Sequence, residues 1–280
     1  MTESVTNTAV SGETAAGLPN TLRTYLRRFT AAANEYDGSI RHAAELEELL
    51  ADYSRLVTDP GHEAPFALFA AAAGTDEVVE QLRTQSARCV AVIEKYRALR
   101  LLAGTAGAQG YFANIESCIT EEFGAVAPRK ESKVLLVGSG SFPMTLLNVA
   151  ALTGASTLGI DIDAESINLG RRVVALLGEG LDIALEETAI HELDFISEAT
   201  HIVISSTVSV KYELLHQMHP LTREDVVVAM RFGDGLKSLF NYPMQEVDPA
   251  LWRLAETIRR PEQVFDIALY VKQRPSRKDV

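Results

Sequence analysis

Residues 133–163 read KVLLVGSGSFPMTLLNVAALTGASTLGIDID, and this stretch decides the fold class of the chain. Val134–Val137 is a short apolar run of the kind found in parallel strands that are covered on both faces. It ends directly in the Gly-Ser-Gly of 138–140, where the chain must turn tightly. A helix over Met144–Leu152 and a second apolar strand over Ser156–Ile160 follow. The pattern predicts a strand, a glycine turn, a helix and a parallel strand.

This unit predicts a ligand site at the carboxyl ends of its two strands. Glycine lets a ligand approach the backbone, so the turn of Gly138, Ser139, Gly140 and Ser141 is a candidate binding loop. Asp161 and Asp163 follow the second strand, about twenty residues beyond the glycines, where a carboxylate accepts hydrogen bonds from ribose hydroxyls. The alternative is a turn that needs glycine only for packing, and we favour nucleoside binding.

Pro143 narrows the choice of nucleoside. It stands where a dinucleotide fingerprint would have its third glycine, and it suits a first helical turn, which needs no amide donor. The short loop therefore fits a nucleoside with a compact charged tail, such as S-adenosylmethionine, better than a dinucleotide.

The amino-acid composition limits the classes of binding partner and the cellular compartment that we expect for this chain. The chain has 280 residues and a formal net charge of −12, which argues against nucleic acid or an anionic membrane as a partner. Cys89 and Cys118 are too few for a disulfide framework and indicate a reducing compartment. No long apolar run or signal-like start is present, so we expect a cytoplasmic protein. We leave a homodimer open.

In the first half of the chain, apolar residues recur at the spacing of an α-helix. Residues 1–20 are expected to be disordered, and residues 21–127 to form a helical domain that contributes to an acceptor site. Apolar residues recur at helical spacing from Leu22 to Phe29, over Ile40–Val57 and over Val78–Leu102. One more helix is predicted over 111–123, ahead of the domain boundary.

Residues 128–280 continue the alternation of strands and helices. A helix is predicted over Ala164–Leu177, and further strands over Glu187–Leu193, His201–Ser205, Val226–Arg231 and Val264–Val271. This order predicts an α/β fold: a Rossmann-like, doubly wound parallel sheet of the class I methyltransferase type, preceded by the helical domain.

Further candidate site residues follow the later strands. Asp194 and Phe195 come after the strand expected at 187–193, where an acid can accept from the adenine amino group; the alternative for Asp194 is a helix N-cap. Ser205, Ser206 and Thr207 follow the next strand and are expected to face the reacting end of the ligand. Arg231 ends another strand and is expected either to clamp the ligand's carboxylate or to form an interdomain salt bridge.

Other chemistries find little support in the sequence. His216 and His219 are three residues apart on a helix, but no third ligand stands at a recognisable spacing, so we expect no metal. Motifs of serine hydrolases, P-loop kinases and zinc proteases do not occur.

The motifs together resemble those of the nicotianamine synthase family. KVLLVGSGSFPMT, GIDIDAES and MRFGDGLKSLFNYP are similar to that family's V-G-S-G-P-x-P-L-T, D-I-D-P and L-R-x-x-x-G-x-R-x-x-L-Y-P. Upstream, residues 111–114 (YFAN) stand where the family has Y-Y-D-N-Y, and residues 92–94 (VIE) where it has L-L-E. The resemblance spans roughly residues 85–272.

The resemblance implies a reaction as well as a ligand. Family members use S-adenosylmethionine as a substrate and transfer its 3-amino-3-carboxypropyl group to an amine, releasing methylthioadenosine. It also implies catalytic roles near the amine for Glu94, as the base that takes the ammonium proton, and for Tyr111, with Asn114 as a further candidate. Without the resemblance, Glu94 would be interpreted as part of a solvated helix face and Tyr111 as a packing residue.

The chain departs from the family pattern at two places. Phe112 and Ala113 replace a tyrosine and an aspartate, and hydroxyls stand at Ser205–Thr207, where nicotianamine synthases tend to have small apolar residues. This exchange favours a smaller site in which the ligand's own amine closes an azetidine-2-carboxylate ring. We slightly favour transfer to an external amine over this cyclisation, because transfer is the commoner reaction in the family. The product would then be a nicotianamine- or opine-type metallophore or a related small metabolite. Two further hypotheses stay open, an ordinary methyltransferase and a ligand-binding sensor without chemistry.

Overall fold

A computed structural model describes residues 17–105, 122–123 and 126–273. None of the helices in these ranges combines the length and apolar character that a membrane crossing requires. The predictions for Tyr111, Phe112, Ala113, Asn114 and Cys118, and for the helix over 111–123, lie outside the described residues, apart from that helix's last two positions.

Residues 17–105 form four α-helices: α1 (Leu18–Asn34), α2 (Ala43–Thr58), α3 (Glu63–Ala70) and α4 (Asp76–Leu102). Helix α1 starts inside the range expected to lack structure, with a proline in its first turn, where a missing amide hydrogen costs nothing. Residues recurring at helical spacing, such as Leu46, Leu49, Leu50 and Tyr53, are buried between these helices. The helical interpretation of residues 21–102 agrees with this arrangement.

The second part of the chain is built on a seven-stranded sheet. Its strands are β1 (Lys133–Val137), β2 (Ser156–Asp161), β3 (Ile183–Glu187), β4 (His201–Ile204), β5 (Val227–Phe232), β6 (Trp252–Ile258) and β7 (Asp266–Lys272). The order is β3-β2-β1-β4-β5-β7-β6. Strands β1 to β5 pair in parallel, whereas β7 runs antiparallel to both β5 and β6. The prediction of a Rossmann-like, methyltransferase-type sheet after a helical domain is confirmed.

Three helices accompany the strands: α5 (Met144–Thr153), α6 (Ala164–Leu177) and α7 (Lys211–Met218). Helix α5 ends at Gly154 in a left-handed conformation, with φ of 72°. Asp163 caps the start of α6 by accepting a hydrogen bond from the amide of Glu165 at 3.1 Å. The order of strands reverses between β1 and β4, so ligands are expected outside the carboxyl ends of these two strands.

Three strand expectations need correction. Strand β3 covers Ile183–Glu187, not 187–193, and two short 3-10 turns occupy residues 190–192 and 194–197. Strand β6 has no counterpart among the predicted strands, since most of its residues are exposed and it shows no clear apolar alternation. The last strand is antiparallel, so the parallel prediction holds for five of the seven strands.

The core of the helical part includes residues from the second part of the chain. Leu236, Leu239 and Phe240, which follow β5, are buried in the same apolar cluster as the residues of α1 to α4. Tyr53 donates a hydrogen bond to the carbonyl of Leu239 at 2.9 Å, and Arg83 donates to the carbonyl of Ser238 at 2.9 Å. The two parts of the chain therefore share one continuous packing interface.

Candidate active site

A cavity of about 690 Å³ lies where the helical part meets the carboxyl ends of the strands. Its size falls within the range of ligand pockets. Helix α4 forms one wall, and the residues after β1, β2, β3 and β4 form the others. The lining includes Thr84, Arg88, Glu94, Gly138, Gly140, Asp161, Asp163, Thr188, Ala189, Ile190, His191, Ser205, Ser206, Thr207, Arg231 and Tyr242.

The glycine turn and Asp161 form one hydrogen-bonded unit. The amide of Gly140 donates to Oδ2 of Asp161 at 2.9 Å, and the amide of Asp163 donates to Oδ1 at 3.0 Å. Gly138 and Gly140 both have positive φ, 78° and 63°, which a residue with a side chain adopts only at a cost. Because each carboxylate oxygen can accept two hydrogen bonds, Asp161 keeps acceptor capacity for ribose hydroxyls.

Glu94 projects from α4 onto the glycine turn. Its carboxylate lies where a Cβ on Gly140 would stand, so no other residue fits at position 140 without moving the acid. The sequence pattern predicts that a ligand uses the space beside this glycine. In the structure, the side chain of Glu94 occupies that space. Glu94 also accepts a hydrogen bond from the amide of Ser141.

The surroundings of Glu94 favour its protonated form. Burial, and then the nearby charge of Asp161, raise the pKa of Glu94 from 4.5 to about 8, against the opposing effects of the Ser141 amide, Arg97 and Arg231. A carboxyl group whose pKa lies near the working pH is suited to general acid-base chemistry. The arrangement therefore places a carboxyl group that can exchange a proton near neutral pH at the junction of the two parts of the chain.

Hydroxyl groups follow β4, as expected. Ser205, Ser206 and Thr207 line the cavity, and the Ser205 hydroxyl donates to the carbonyl of Gly138 at 2.8 Å. This bond ties the loop after β4 to the glycine turn. Ser139 and Ser141 lie beside the cavity instead: both are buried, and neither is among the lining residues.

Lys211, which sequence reasoning missed, supports the same loop from behind. It is fully buried, and its ammonium group donates to the carbonyls of Ser206 and Arg231, at 2.7 Å each. Burial, followed by the charges of Arg83 and Arg231, holds the pKa of Lys211 well below its usual value. Its position at the start of α7 carries no local signal of this role.

Arg231 forms an ion pair across the chain, which is one of its two expected roles. Its guanidinium group donates to both carboxylate oxygens of Glu122, at 2.6 and 2.8 Å, and to the hydroxyl of Thr145 at 3.1 Å. Although Arg231 lines the cavity, the planar fork that would bind a ligand carboxylate is engaged by Glu122. The second expected role, as a carboxylate clamp, would require this buried pair to open.

Asp194 and Phe195 are not brought to the cavity. Because β3 ends at Glu187, the residues at its carboxyl end are Thr188 to His191, and these line the cavity instead. Asp194 begins a 3-10 turn farther along, and Phe195 packs against the core beside β4. The binding roles expected for this pair are therefore not supported by their positions.

Asp163 lies at the rim of the cavity and is engaged on several sides. It caps α6, accepts a hydrogen bond from the Ser166 hydroxyl at 2.8 Å and pairs with the ammonium of Lys95 at 2.7 Å. Although burial acts in the opposite direction, these bonds hold the pKa of Asp163 below its usual value. Its contacts are thus mainly structural.

Comparison with known proteins gives both sequence and structural relatives. No family model matches the chain. L-histidine 2-aminobutanoyltransferase of Pseudomonas aeruginosa is 30% identical over 184 residues, which cover 65% of this chain and 69% of that protein. The enzyme of the same name from Yersinia pestis is 31% identical over 183 residues, covering 63% and 66% of the two chains.

The fold is shared with solved structures over almost the whole chain. MtNAS in complex with MTA and tNA superposes with a TM-score of 0.76 at 13% identity, covering 92% of this chain and 98% of that one. A single-residue variant of MtNAS in complex with S-adenosylmethionine gives a TM-score of 0.71 at 14% identity, with coverages of 89% and 97%. At these identities the likeness establishes the fold.

Proposed function

The chain belongs to the nicotianamine synthase-like family of S-adenosylmethionine-dependent aminobutanoyltransferases, and on that premise we propose how its own site works. S-adenosylmethionine is the substrate, its 3-amino-3-carboxypropyl group passes to the amine of an acceptor, and methylthioadenosine leaves. Histidine is the first acceptor to test, because the relatives from Pseudomonas aeruginosa and Yersinia pestis are named for it. The product belongs to the nicotianamine- or opine-type metallophores.

The observation that carries this proposal is the position of Glu94. Its carboxylate stands over Gly140, between the nucleoside loop and the helical wall, and its pKa is raised to about 8. Binding of the nucleoside needs the glycine turn and Asp161 but no acid at this place. An amine acceptor needs a base, because an ammonium group has no lone pair with which to attack carbon.

The reaction balances with Glu94 as the proton acceptor. The carboxylate takes a proton from the acceptor's ammonium group, and the freed lone pair forms a bond to the γ carbon as the bond from carbon to sulfur breaks. The electron pair goes to sulfur, so methylthioadenosine leaves as a neutral thioether while the new amine carries the positive charge. Holding nitrogen, carbon and sulfur in line supplies much of the rate, and that is a matter of positioning.

Several residues are assigned to binding in this proposal. Asp161 accepts from the ribose hydroxyls, and the backbone of Gly138 and Gly140, which line the cavity, lies against the ligand. Ser206 and Thr207, which line the cavity beside Ser205, face the aminobutyrate arm. Tyr111 and Asn114 stay predictions, as do the absence of a metal, a cytoplasmic location and a homodimer.

Product analysis by mass spectrometry tests the proposal. The protein is incubated with S-adenosylmethionine alone, then with histidine, then with a mixture of amino acids. Methylthioadenosine that forms only when an amino acid is added supports transfer and names the acceptor. Azetidine-2-carboxylate in the first tube would instead assign an intramolecular cyclisation. S-adenosylhomocysteine would assign a methyltransferase, and no product at all would assign a binding protein.

A further inference from the structure

Lys95, the residue after Glu94 on α4, makes a dense set of polar contacts between the helical part and α6. Its ammonium group lies 2.7 Å from Asp163 and 2.6 Å from Glu165, and only 11% of its side chain is exposed. Tyr36 completes the cluster: its ring lies 5.4 Å from the ammonium, and its hydroxyl donates to Glu165 at 2.6 Å. Helix α4 and the segment after α1 are thus both fixed to the start of α6.

This cluster connects back to the acid next to it. Asp163, held by Lys95, donates its amide hydrogen to Asp161, and Asp161 accepts the amide hydrogen of Gly140. Gly140 in turn lies under the carboxylate of Glu94. The contacts form a closed loop that leaves α4 at Lys95 and returns to it at Glu94, so a shift of α4 at one contact displaces the other.

Lys95 carries one positive charge between two carboxylates, where an ordinary surface pair has one. Although burial alone would lower it, the hydrogen bonds to Asp163 and Glu165 raise the pKa of Lys95 above its usual value. The ammonium is mostly shielded from water, whereas the carboxylates of Asp163 and Glu165 are 41% and 46% exposed, so salt screens these pairs in part. Without it, Asp163 and Glu165 would face each other as like charges at the first turn of α6.

We propose that Lys95 is a positioning residue for the transfer reaction: by bridging Asp163 and Glu165 it holds α4 against α6 and keeps the Glu94 carboxylate over Gly140. This inference rests on the function proposed for Glu94 but not on the identity of the acceptor. Lys95 does not need to touch either substrate.

The test compares Lys95→Met with Lys133→Met. Lys133 also pairs with a glutamate, Glu198, but the pair lies at the start of β1, away from the cavity, and its lysine is more exposed, at 38%. For each variant, kcat and KM for S-adenosylmethionine are measured from methylthioadenosine release across a range of pH, and S-adenosylmethionine binding is measured by calorimetry.

We expect Lys95→Met to lower kcat by about 10- to 100-fold, because small misplacements of a reacting group are costly. Binding of S-adenosylmethionine should change much less. As Glu94 moves toward water, the ionisation seen in the pH profile should shift from about 8 toward the ordinary carboxyl range. Lys95→Arg should restore most of kcat, and Lys133→Met should resemble the wild type.

A wild-type kcat and pH profile in Lys95→Met would overturn the inference. If that variant does not fold, Tyr36→Phe and Glu165→Gln each weaken the same cluster, and both should lower kcat in the same direction; unchanged kcat in both would also overturn it. A wild type that releases no methylthioadenosine under any condition would overturn the proposed function. An active wild type with an equally active Lys95→Met overturns only the role of Lys95.

Discussion

At the scale of single residues, one carboxyl group sets the pH at which the proposed reaction runs. Glu94 must be ionised to accept a proton, and its pKa of about 8 reflects burial and Asp161, opposed by Arg97 and Arg231. We therefore expect kcat/KM to rise with pH through about 8. Glu94→Gln should lower kcat by about 10²- to 10⁴-fold and remove this rise. A pH profile that keeps the same ionisation in the variant would assign it to another group.

The same residue should make stability depend on pH. Since the pKa of Glu94 is higher in the folded than in the unfolded state, the folded state binds the proton more tightly. The stability that Glu94 contributes is therefore lost as pH rises from about 4.5 to about 8. Glu94→Gln does not titrate, so its Tm relative to the wild type should increase over this window. Thermal unfolding at several pH values measures the difference, and a constant offset would contradict it.

Gly140 can be tested against a glycine of the same conformation. Gly140→Ala and Gly154→Ala both place a side chain at positive φ, 63° and 72°, so each should lose about 1 to 2 kcal/mol of unfolding free energy. Only at position 140 does the new methyl group meet the Glu94 carboxylate, whereas at 154 the nearest atom, of Lys130, is 3.6 Å away. Gly140→Ala should lower kcat about 100-fold, and Gly154→Ala should not. Equal activities of Gly140→Ala and Gly154→Ala would show that the placement of Glu94 does not depend on Gly140.

Local patterns identify some site residues and not others. Gly138, Gly140 and Asp161 follow from the order of strand, turn and strand, because that order itself places them together. Glu94 follows only from the family resemblance, since nothing in its helix distinguishes it. The contacts of Lys211 and the choice of partner by Arg231 depend on residues that are distant in sequence, such as Glu122, 109 positions before Arg231.

At the scale of elements, the position of one strand decides which residues reach the cavity. Residues 183–193 (IALEETAIHEL) contain apolar residues at either end, so a strand could be placed at 183–187 or at 187–193. The pairing of β3 with β2, from Thr157 opposite Ile183 to Asp161 opposite Glu187, selects the first. Tertiary pairing, not local preference, therefore places residues 188–191 directly after β3, where the sequence pattern predicts Asp194.

This difference gives a matched pair of variants. Asp161→Ala removes the carboxylate at the end of β2 and its bonds to Gly140 and Asp163, so we expect at least a tenfold weaker affinity for S-adenosylmethionine, or about 1.4 kcal/mol. Asp194→Ala removes the same group outside the cavity and should leave affinity unchanged. Calorimetry measures both. If only Asp194→Ala weakened the binding of S-adenosylmethionine, the role at the adenine amino group that the sequence predicts for Asp194 would be supported.

At the scale of the whole molecule, the two parts should unfold together. Leu239 is fully buried in the cluster formed by α1 to α4, although it belongs to the part that contains the sheet. Leu239→Ala should cost about 2 to 5 kcal/mol, as other buried truncations do. Scanning calorimetry should show one transition in the wild type and in the variant. Two separate transitions would show that the parts fold independently.

The shared cluster also bears on how such a protein can be recombined. Residues 235–240 lie far along the chain from the four helices, yet they complete the same apolar interior. A chimaera that takes its first hundred residues from a relative would therefore inherit mismatched packing unless this short segment is exchanged as well. A crossover after the helices should therefore give a stable protein only when two further crossovers, one on each side of residues 235–240, exchange that segment as well.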